Sequence, residues 1–148
     1  MIEIRPVIET DIETFYLHQA DPEASAMAAF PTRDRDVLFE SWRRNLARED
    51  GVAQTIVVDG AVAGYVVSWE ADGRRLVAYW IGREFWGRGV ATAAVRALLD
   101  EIAARPLFAY VATSNVGSIR VLEKSGFVRT TDDSQIGEDS EEWLFRLA

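Results

Sequence analysis

The 148 residues are 49% apolar and 27% charged, with five Trp, four Tyr and seven Phe, which excludes a disordered chain and predicts a single domain over residues 1–148. The absence of cysteine and the single histidine exclude a disulfide framework or a thiolate zinc site, and no metal is expected; a formal net charge of −8 opposes binding to nucleic acid or anionic lipid and favours a cationic partner. No apolar run reaches the roughly 20 residues that span a bilayer, and Met1 to Val7 is charged rather than signal-like, so a soluble, cytoplasmic protein with no membrane partner is expected.

Ile2 to Ile8 alternates around Pro6 and predicts an edge strand, because proline cannot donate to an interior ladder. Thr10-Asp11-Ile12-Glu13 then reads as a capping box opening a helix through about Gln19. Asp21 to Pro31 has weak periodicity and reads as a loop or a short helical turn. A second helix, from about Arg33 to Arg48, carries Val37, Leu38, Trp42 and Leu46 at helical spacing with arginines on the other face. The β-branched stretch Val52 to Val58, the Asp59-Gly60 turn, apolar Ala61 to Trp69, the Asp72-Gly73 turn and Leu76 to Ile81 together predict an antiparallel meander. A loop bearing glycine and arginine, Gly82 to Gly89, leads into a helix from Val90 to Ala104 that Pro106 ends. Leu107 to Thr113 is the next strand, and the crossover to it is expected to be right-handed and parallel. A short helix from about Val116 to Ser125, with Gly126 at its C-cap, precedes a strand from Phe127 and a last strand in which Trp143, Phe145 and Leu147 alternate. The fold class is therefore α+β, with helices on a sheet that turns from antiparallel to parallel near Ile81, and ligands favour crevices at such switch points.

The segment Tyr79-Trp80-Ile81-Gly82-Arg83-Glu84-Phe85-Trp86-Gly87-Arg88-Gly89-Val90-Ala91-Thr92 carries the most chemistry. Gly87 and Gly89 let the backbone approach a ligand, and the unpaired amides opening the next helix form a positive pole for an anion. No Asp or Glu opposes that pole in the first turn, while Arg88 and Thr92 add donors suited to phosphate. The alternative is a glycine-rich turn into a core helix. A dinucleotide fingerprint is disfavoured, because its third glycine position is Thr92 and the following strand ends Ala112-Thr113-Ser114-Asn115 without an acidic residue for a ribose; a Gly-Lys-Ser/Thr phosphate cradle is absent too.

The second informative segment is Asn115-Val116-Gly117-Ser118-Ile119-Arg120-Val121-Leu122-Glu123-Lys124-Ser125-Gly126-Phe127. In this order and separation, the two segments resemble the GCN5-related N-acetyltransferase (GNAT) superfamily, especially the branch of ribosomal-protein N-acetyltransferases of the RimJ and RimL type. With the preceding meander, the resemblance covers nearly the whole chain. It implies the GNAT fold, a mixed antiparallel and parallel sheet of about seven strands flanked by about four helices. It also implies acetyl-CoA as acetyl donor and a primary amine of a small molecule or protein N-terminus as acceptor, reacting directly in a ternary complex.

The family's pyrophosphate loop, Gln/Arg-x-x-Gly-x-Gly/Ala, falls on Trp86-Gly87-Arg88-Gly89-Val90-Ala91, with Trp86 in place of the polar first residue. The resemblance places Tyr79, Trp80 and Ile81 on a splayed strand whose backbone pairs with the pantetheine arm. Asn115 would orient the pantetheine amides. In many relatives a Tyr near the last motif assists the departing thiolate; Leu122 matches that position here, and Ser118 is the substitute by resemblance to Rim-like enzymes. Asn115 and Ser118 also suit a helix N-cap with a first-turn hydroxyl. The cofactor-binding set expected is thus Tyr79, Trp80, Ile81, Trp86, Gly87, Arg88, Gly89, Val90, Ala91, Thr92, Asn115 and Ser118, with Ser118 as the catalytic residue.

No carboxylate occupies Leu76 to Ile81, so water leading to Glu70, Glu84 or Tyr110 is left as the route for the amine proton. His18 reads as a surface or capping residue. The acidic stretch Asp132 to Glu142 reads as a solvated loop that could draw in a cation, and Arg33, Arg35, Arg43, Arg44 and Arg48 read as a solvated helix face. Trp42 and Trp69 fit either core or acceptor-pocket wall. A homodimer is left open, as are two other readings: an acyl-CoA-binding sensor without catalysis, and a nucleotide-binding oxidoreductase.

Overall fold

The computed structural model describes residues 1–28, 34–130 and 142–148. Strand β1 (Ile2–Pro6) stops at the proline and lies at the sheet edge, paired with β2 (Val52–Val58) from Ile2↔Val58 to Pro6↔Gln54. Asp59-Gly60 and Asp72-Gly73 each place two successive residues at positive φ, the geometry of tight hairpin turns, and so connect β2 to β3 (Ala61–Ala71) and β3 to β4 (Arg74–Ile81). The meander is complete at β4, and β5 (Leu107–Ala112) then adds in parallel. The last strand, β7 (Glu142–Leu147), enters antiparallel between β5 and the two-residue β6 (Val128–Arg129). Among the described residues the sheet has seven strands, in the order β1-β2-β3-β4-β5-β7-β6.

Five α-helices flank the sheet among the described residues, against about four expected: α1 (Glu9–Gln19), α2 (Pro22–Ala28), α3 (Arg35–Ala47), α4 (Val90–Glu101) and α5 (Val116–Lys124). The additional one is α2. Pro22 stands at its first position, where its missing N–H costs nothing, and Asp21 caps the turn by accepting from Glu23 N at 3.0 Å. The start of α1 also differs from expectation. Its cap is Ile8, whose N–H donates to Asp11 Oδ2 at 2.9 Å while Ile8 O accepts from Asp11 N, so Thr10 lies inside the helix and Glu13 instead pairs with Arg35. Asp11 is drawn inward because Arg5 holds both its oxygens, at 2.7 and 2.9 Å, and Thr55 Oγ1 donates at 2.7 Å. Burial pushes the Asp11 carboxyl up, but the hydrogen bonds from Arg5, Ile8 and Thr55 together hold it below its ordinary value.

Two cores lie on opposite faces of the sheet. Helix α4 buries Val90, Ala94, Val95 and Leu98, one helical stripe, against Ile56, Val66, Val77, Leu107 and Phe145. On the other face α1 and α3 bury Ile12, Phe15, Leu38 and Trp42 against Ala53, Tyr65 and Val67. The Phe15 ring lies 5.0 Å from Trp42 and 5.2 Å from Tyr65. A buried aromatic in such a cluster contributes roughly 1.5–3 kcal/mol by area alone. Val37 and Leu46 are exposed, contrary to the expected stripe, because Leu38 and Trp42 already fill the contact. No described helix is long and apolar enough to cross a membrane.

The site is positioned by a defect in this sheet. Strands β4 and β5 pair only at Arg75↔Leu107 and Leu76↔Phe108, whereas β3 follows β4 to its end at Gly64↔Ile81. The parallel switch therefore occurs at Leu76, earlier than expected, and from Val77 onward β4 has one free edge.

Candidate functional site

A cleft of about 420 Å³ opens along that free edge. Every position in the expected cofactor-binding set except Arg88 lines it: Tyr79, Trp80, Ile81, Trp86, Gly87, Gly89, Val90, Ala91, Thr92, Asn115 and Ser118. Gly89, at φ 73°, forms the N-cap of α4, and no acidic side chain stands in the first turn. The earliest intrahelical bond there is from Ala93 N to Gly89 O, so the amides of Val90, Ala91 and Thr92 have no helical acceptor and leave a positive pole at the cleft.

Main-chain directions on β4 follow from the ladder. Gly82 N donates to Ala63 O at 2.8 Å, and two-residue alternation turns the main-chain groups of Trp80 toward β3 and those of Tyr79 and Ile81 toward the gap. Trp80 thus lines the cleft without offering it main-chain groups, a correction to the expected three-residue pairing edge. The Ile81 carbonyl accepts from Trp86 Nε1 at 3.0 Å, which also uses the indole N–H.

Asn115 caps α5, its Oδ1 accepting from Ser118 N at 3.2 Å. The capping role is therefore real, and it leaves the Asn115 carboxamide nitrogen for a ligand. The Ser118 side chain meets a partner that sequence reasoning did not pair with it. Tyr79 Oη lies 2.5 Å from Ser118 Oγ and 3.1 Å from Ser118 O. A phenol has one proton. When Tyr79 donates to Ser118 Oγ, the serine hydrogen is free to point into the cleft; when it donates to Ser118 O, the serine must donate back. Burial pushes the Tyr79 phenol up to about 12, against the opposing effect of its bond with Ser118, so it keeps its proton throughout the neutral range.

Arg88 stands apart, its guanidinium 5.5 Å over the Phe85 ring. The cations lining the cleft are Arg120 and Lys124, four apart and hence on one face of α5. Sequence reasoning missed them, although their helical spacing beside Ser118 was the available signal. It also missed Phe85 and Ala24; the latter lies on α2, so the cleft passes through the gap to the opposite face of the sheet.

None of Glu70, Glu84 and Tyr110 lines the cleft. Glu70 sits 3.9 Å from Arg75, Tyr110 accepts from Arg74 at 3.3 Å, and Glu84 is exposed with an oxygen 3.8 Å from His18 Nε2. His18 is not the surface or capping residue expected: it is only 9% exposed, and a Cβ on Gly82 would fall 2.6 Å from its Nε2. Burial pushes its imidazole pKa down, with Glu84 pulling the other way. Arg35, Arg43, Arg44 and Arg48 pair with carboxylates at Glu13, Glu9, Glu40 and Asp50. Arg33 and the acidic positions Asp132, Asp133, Glu138, Asp139 and Glu141 lie outside the described residues.

A family model described as acetyltransferase (GNAT) domain matches residues 2–128. The protein described as "Putative ribosomal N-acetyltransferase YdaF" of Bacillus subtilis (strain 168) is 30% identical over 101 residues, covering 64% of this chain and 55% of that protein. The chain thus spans little more than half the length of that relative. Among solved structures, aminoglycoside acetyltransferase AAC(6')-Ib in complex with coenzyme A superposes with TM-score 0.79 at 20% identity, over 97% of this chain and 94% of that one. An acetyltransferase from Agrobacterium tumefaciens str. C58 gives 0.83 at 20% identity, over 99% and 90%. Such identities show a shared fold, while the family match extends from the first strand past both motif segments: the chain belongs to the acetyltransferase (GNAT) domain family.

Proposed function

We propose that this protein transfers the acetyl group of acetyl-CoA to a primary amine by direct attack in a ternary complex. The observation that carries the reading is the meeting, in one cleft, of a bare helix N-terminus, an unpaired strand edge and the Tyr79–Ser118 hydroxyl pair. The amides of Val90, Ala91 and Thr92 suit a diphosphate, with Arg120 and Lys124 adding charge and the Trp86 ring providing a wall. The gap-facing groups of Tyr79 and the Ile81 N–H suit an extended amide-bearing arm, which would lie as an added strand with register set by the main chain. Asn115 flanks its far side.

Acetyl-CoA supplies an activated thioester, so that amine nitrogen and carbonyl carbon join as the carbon–sulfur bond breaks, giving an N-acetyl amine and free thiol. A main-chain N–H on the open edge of β4 would steady charge on the carbonyl oxygen, because a fixed donor there needs no reorganisation. Ser118 would donate a hydrogen bond to the departing sulfur, with Tyr79 behind it. A magnitude decides what this pair does: the phenol near 12 lies roughly 3.5 pKa units above an ordinary thiol, so full proton transfer would be uphill by roughly 5 kcal/mol. The pair therefore acts as a hydrogen-bond donor to the thiolate, water takes the ammonium proton, and the released thiolate takes up a proton from solvent to give the thiol. Much of the rate then comes from positioning.

The test is thiol release from acetyl-CoA against a panel of primary amines, with N-acetyl product identified by mass. Binding of acetyl-CoA with no thiol release for any amine would replace the transferase reading with the non-catalytic sensor.

A further inference from the structure

A second cavity, of about 400 Å³, lies on the opposite face of the sheet under α1 and α3. Resting on the transferase reading above, we propose that it holds the acceptor, and that it selects a primary amine on an uncharged aromatic or branched apolar scaffold that also carries a carbonyl. Its position supports this. Ala78 lines it, two residues beyond the last β4–β5 pair, and the partner of Ala78 across the ladder, Val67, belongs to the core on the α1–α3 face. The cleft along β4 emerges on that same face at Trp80 and Ala24. An amine seated over Ala78 thus meets the gap at its closed end, where the arm of the donor must stop.

The lining sets the chemistry. Trp42, Tyr65 and Trp69 provide aromatic walls. The charged lining residue is Arg48, and its charge is already paired: Nε and Nη2 each lie 2.8 Å from Asp50 oxygens, and Nη2 also donates to Glu70 O at 2.9 Å. Among the described residues no carboxylate lines the cavity, so a polycation would lose hydration without gaining a counter-charge. Gln19 adds a directional requirement. It is 5% exposed, it lines the cavity, and its Nε2 has no hydrogen-bond partner among the described residues. A buried amide donor without an acceptor is destabilising, and a ligand carbonyl would satisfy it.

Phenylalaninamide is the probe, with spermidine as the polycationic comparison. Calorimetry on the CoA-bound protein measures amine binding, and thiol release measures transfer. We expect kcat/KM for phenylalaninamide at least tenfold above spermidine. Gln19→Leu is expected to raise the Kd of phenylalaninamide at least fivefold, with the Kd of CoA unchanged and Tm unchanged or higher. Ala78→Leu, which fills the cavity from the sheet, should do the same. A preference for spermidine, no binding of phenylalaninamide, or an unchanged Kd in both variants would overturn the assignment. Phenylalaninamide binding that both variants weaken, without thiol release for any amine, would keep the cavity assignment and reject the transferase reading.

Discussion

Removing the phenol behind Ser118 tests the proposed chemistry most directly. Ser118→Ala takes away the donor to the departing sulfur and is expected to lower kcat about 100-fold, the lower end for loss of one fixed hydrogen-bond donor to developing charge and equivalent to about 2.7 kcal/mol. Tyr79→Phe leaves the serine in place but removes the contact at 2.5 Å that orders its hydrogen. One such bond is worth about 1 kcal/mol net, which predicts a kcat loss near fivefold and a Tm lower by roughly 3–4 °C for a chain of this size. Since Tyr79 is proposed to act only through Ser118, the double variant should be no slower than Ser118→Ala alone, a coupling of about 1 kcal/mol. The assay is thiol release at saturating acetyl-CoA with an amine the wild type turns over, each variant first checked for CoA affinity. Losses that multiply to roughly 500-fold, or an unchanged kcat in Tyr79→Phe, would refute the pair. The phenol near 12 also means that no basic limb attributable to Tyr79 should enter the pH profile below about pH 11.

Other outcomes follow from single contacts. A Cβ on Gly64 would stand 1.9 Å from the Trp80 carbonyl oxygen, so Gly64→Ala should cost about 3 kcal/mol, lower Tm by roughly 10 °C and distort the open edge of β4; a variant with wild-type Tm would contradict the register. His18 has its pKa lowered by burial, so the unfolded chain takes up a proton that the folded one resists. Its contribution is complete above about pH 6.5 and is lost as the pH falls from there through the lower folded value, well above the range below 3.8 where the lowered Asp11 and Asp59 carboxylates titrate. Tm should fall between pH 6.5 and 5 in the wild type and stay flatter in His18→Gln; equal slopes would reject the assignment. Arg120→Glu combined with Lys124→Glu should weaken CoA binding about tenfold at low ionic strength and much less at 0.5 M salt, and Arg88→Glu, off the cleft, should do less; calorimetry of wild type and the two variants at two salt concentrations decides it.

Neighbouring side chains were enough to specify the parts that depend on local chemistry. The Asp59-Gly60 and Asp72-Gly73 pairs placed the hairpins, Pro6 marked an edge strand, and Gly89 before a first turn without carboxylates marked the anion pole. Side-chain period separated the strands of the meander from the helix beginning at Val90. Where a local signal had a rival a few residues away, it failed: the Thr10 capping box lost to Asp11, because Arg5 and Thr55 across the fold offer that carboxylate three hydrogen bonds. Features that join distant segments came from packing across the fold. It inserted β7 between β5 and β6, opened β4 from β5 after Leu76, brought the Tyr79 phenol to Ser118 from 39 residues away, and turned Arg120 rather than Arg88 into the cleft. These depend on how strands pack and where a ladder stops, and neither quantity is written in the order of neighbouring side chains.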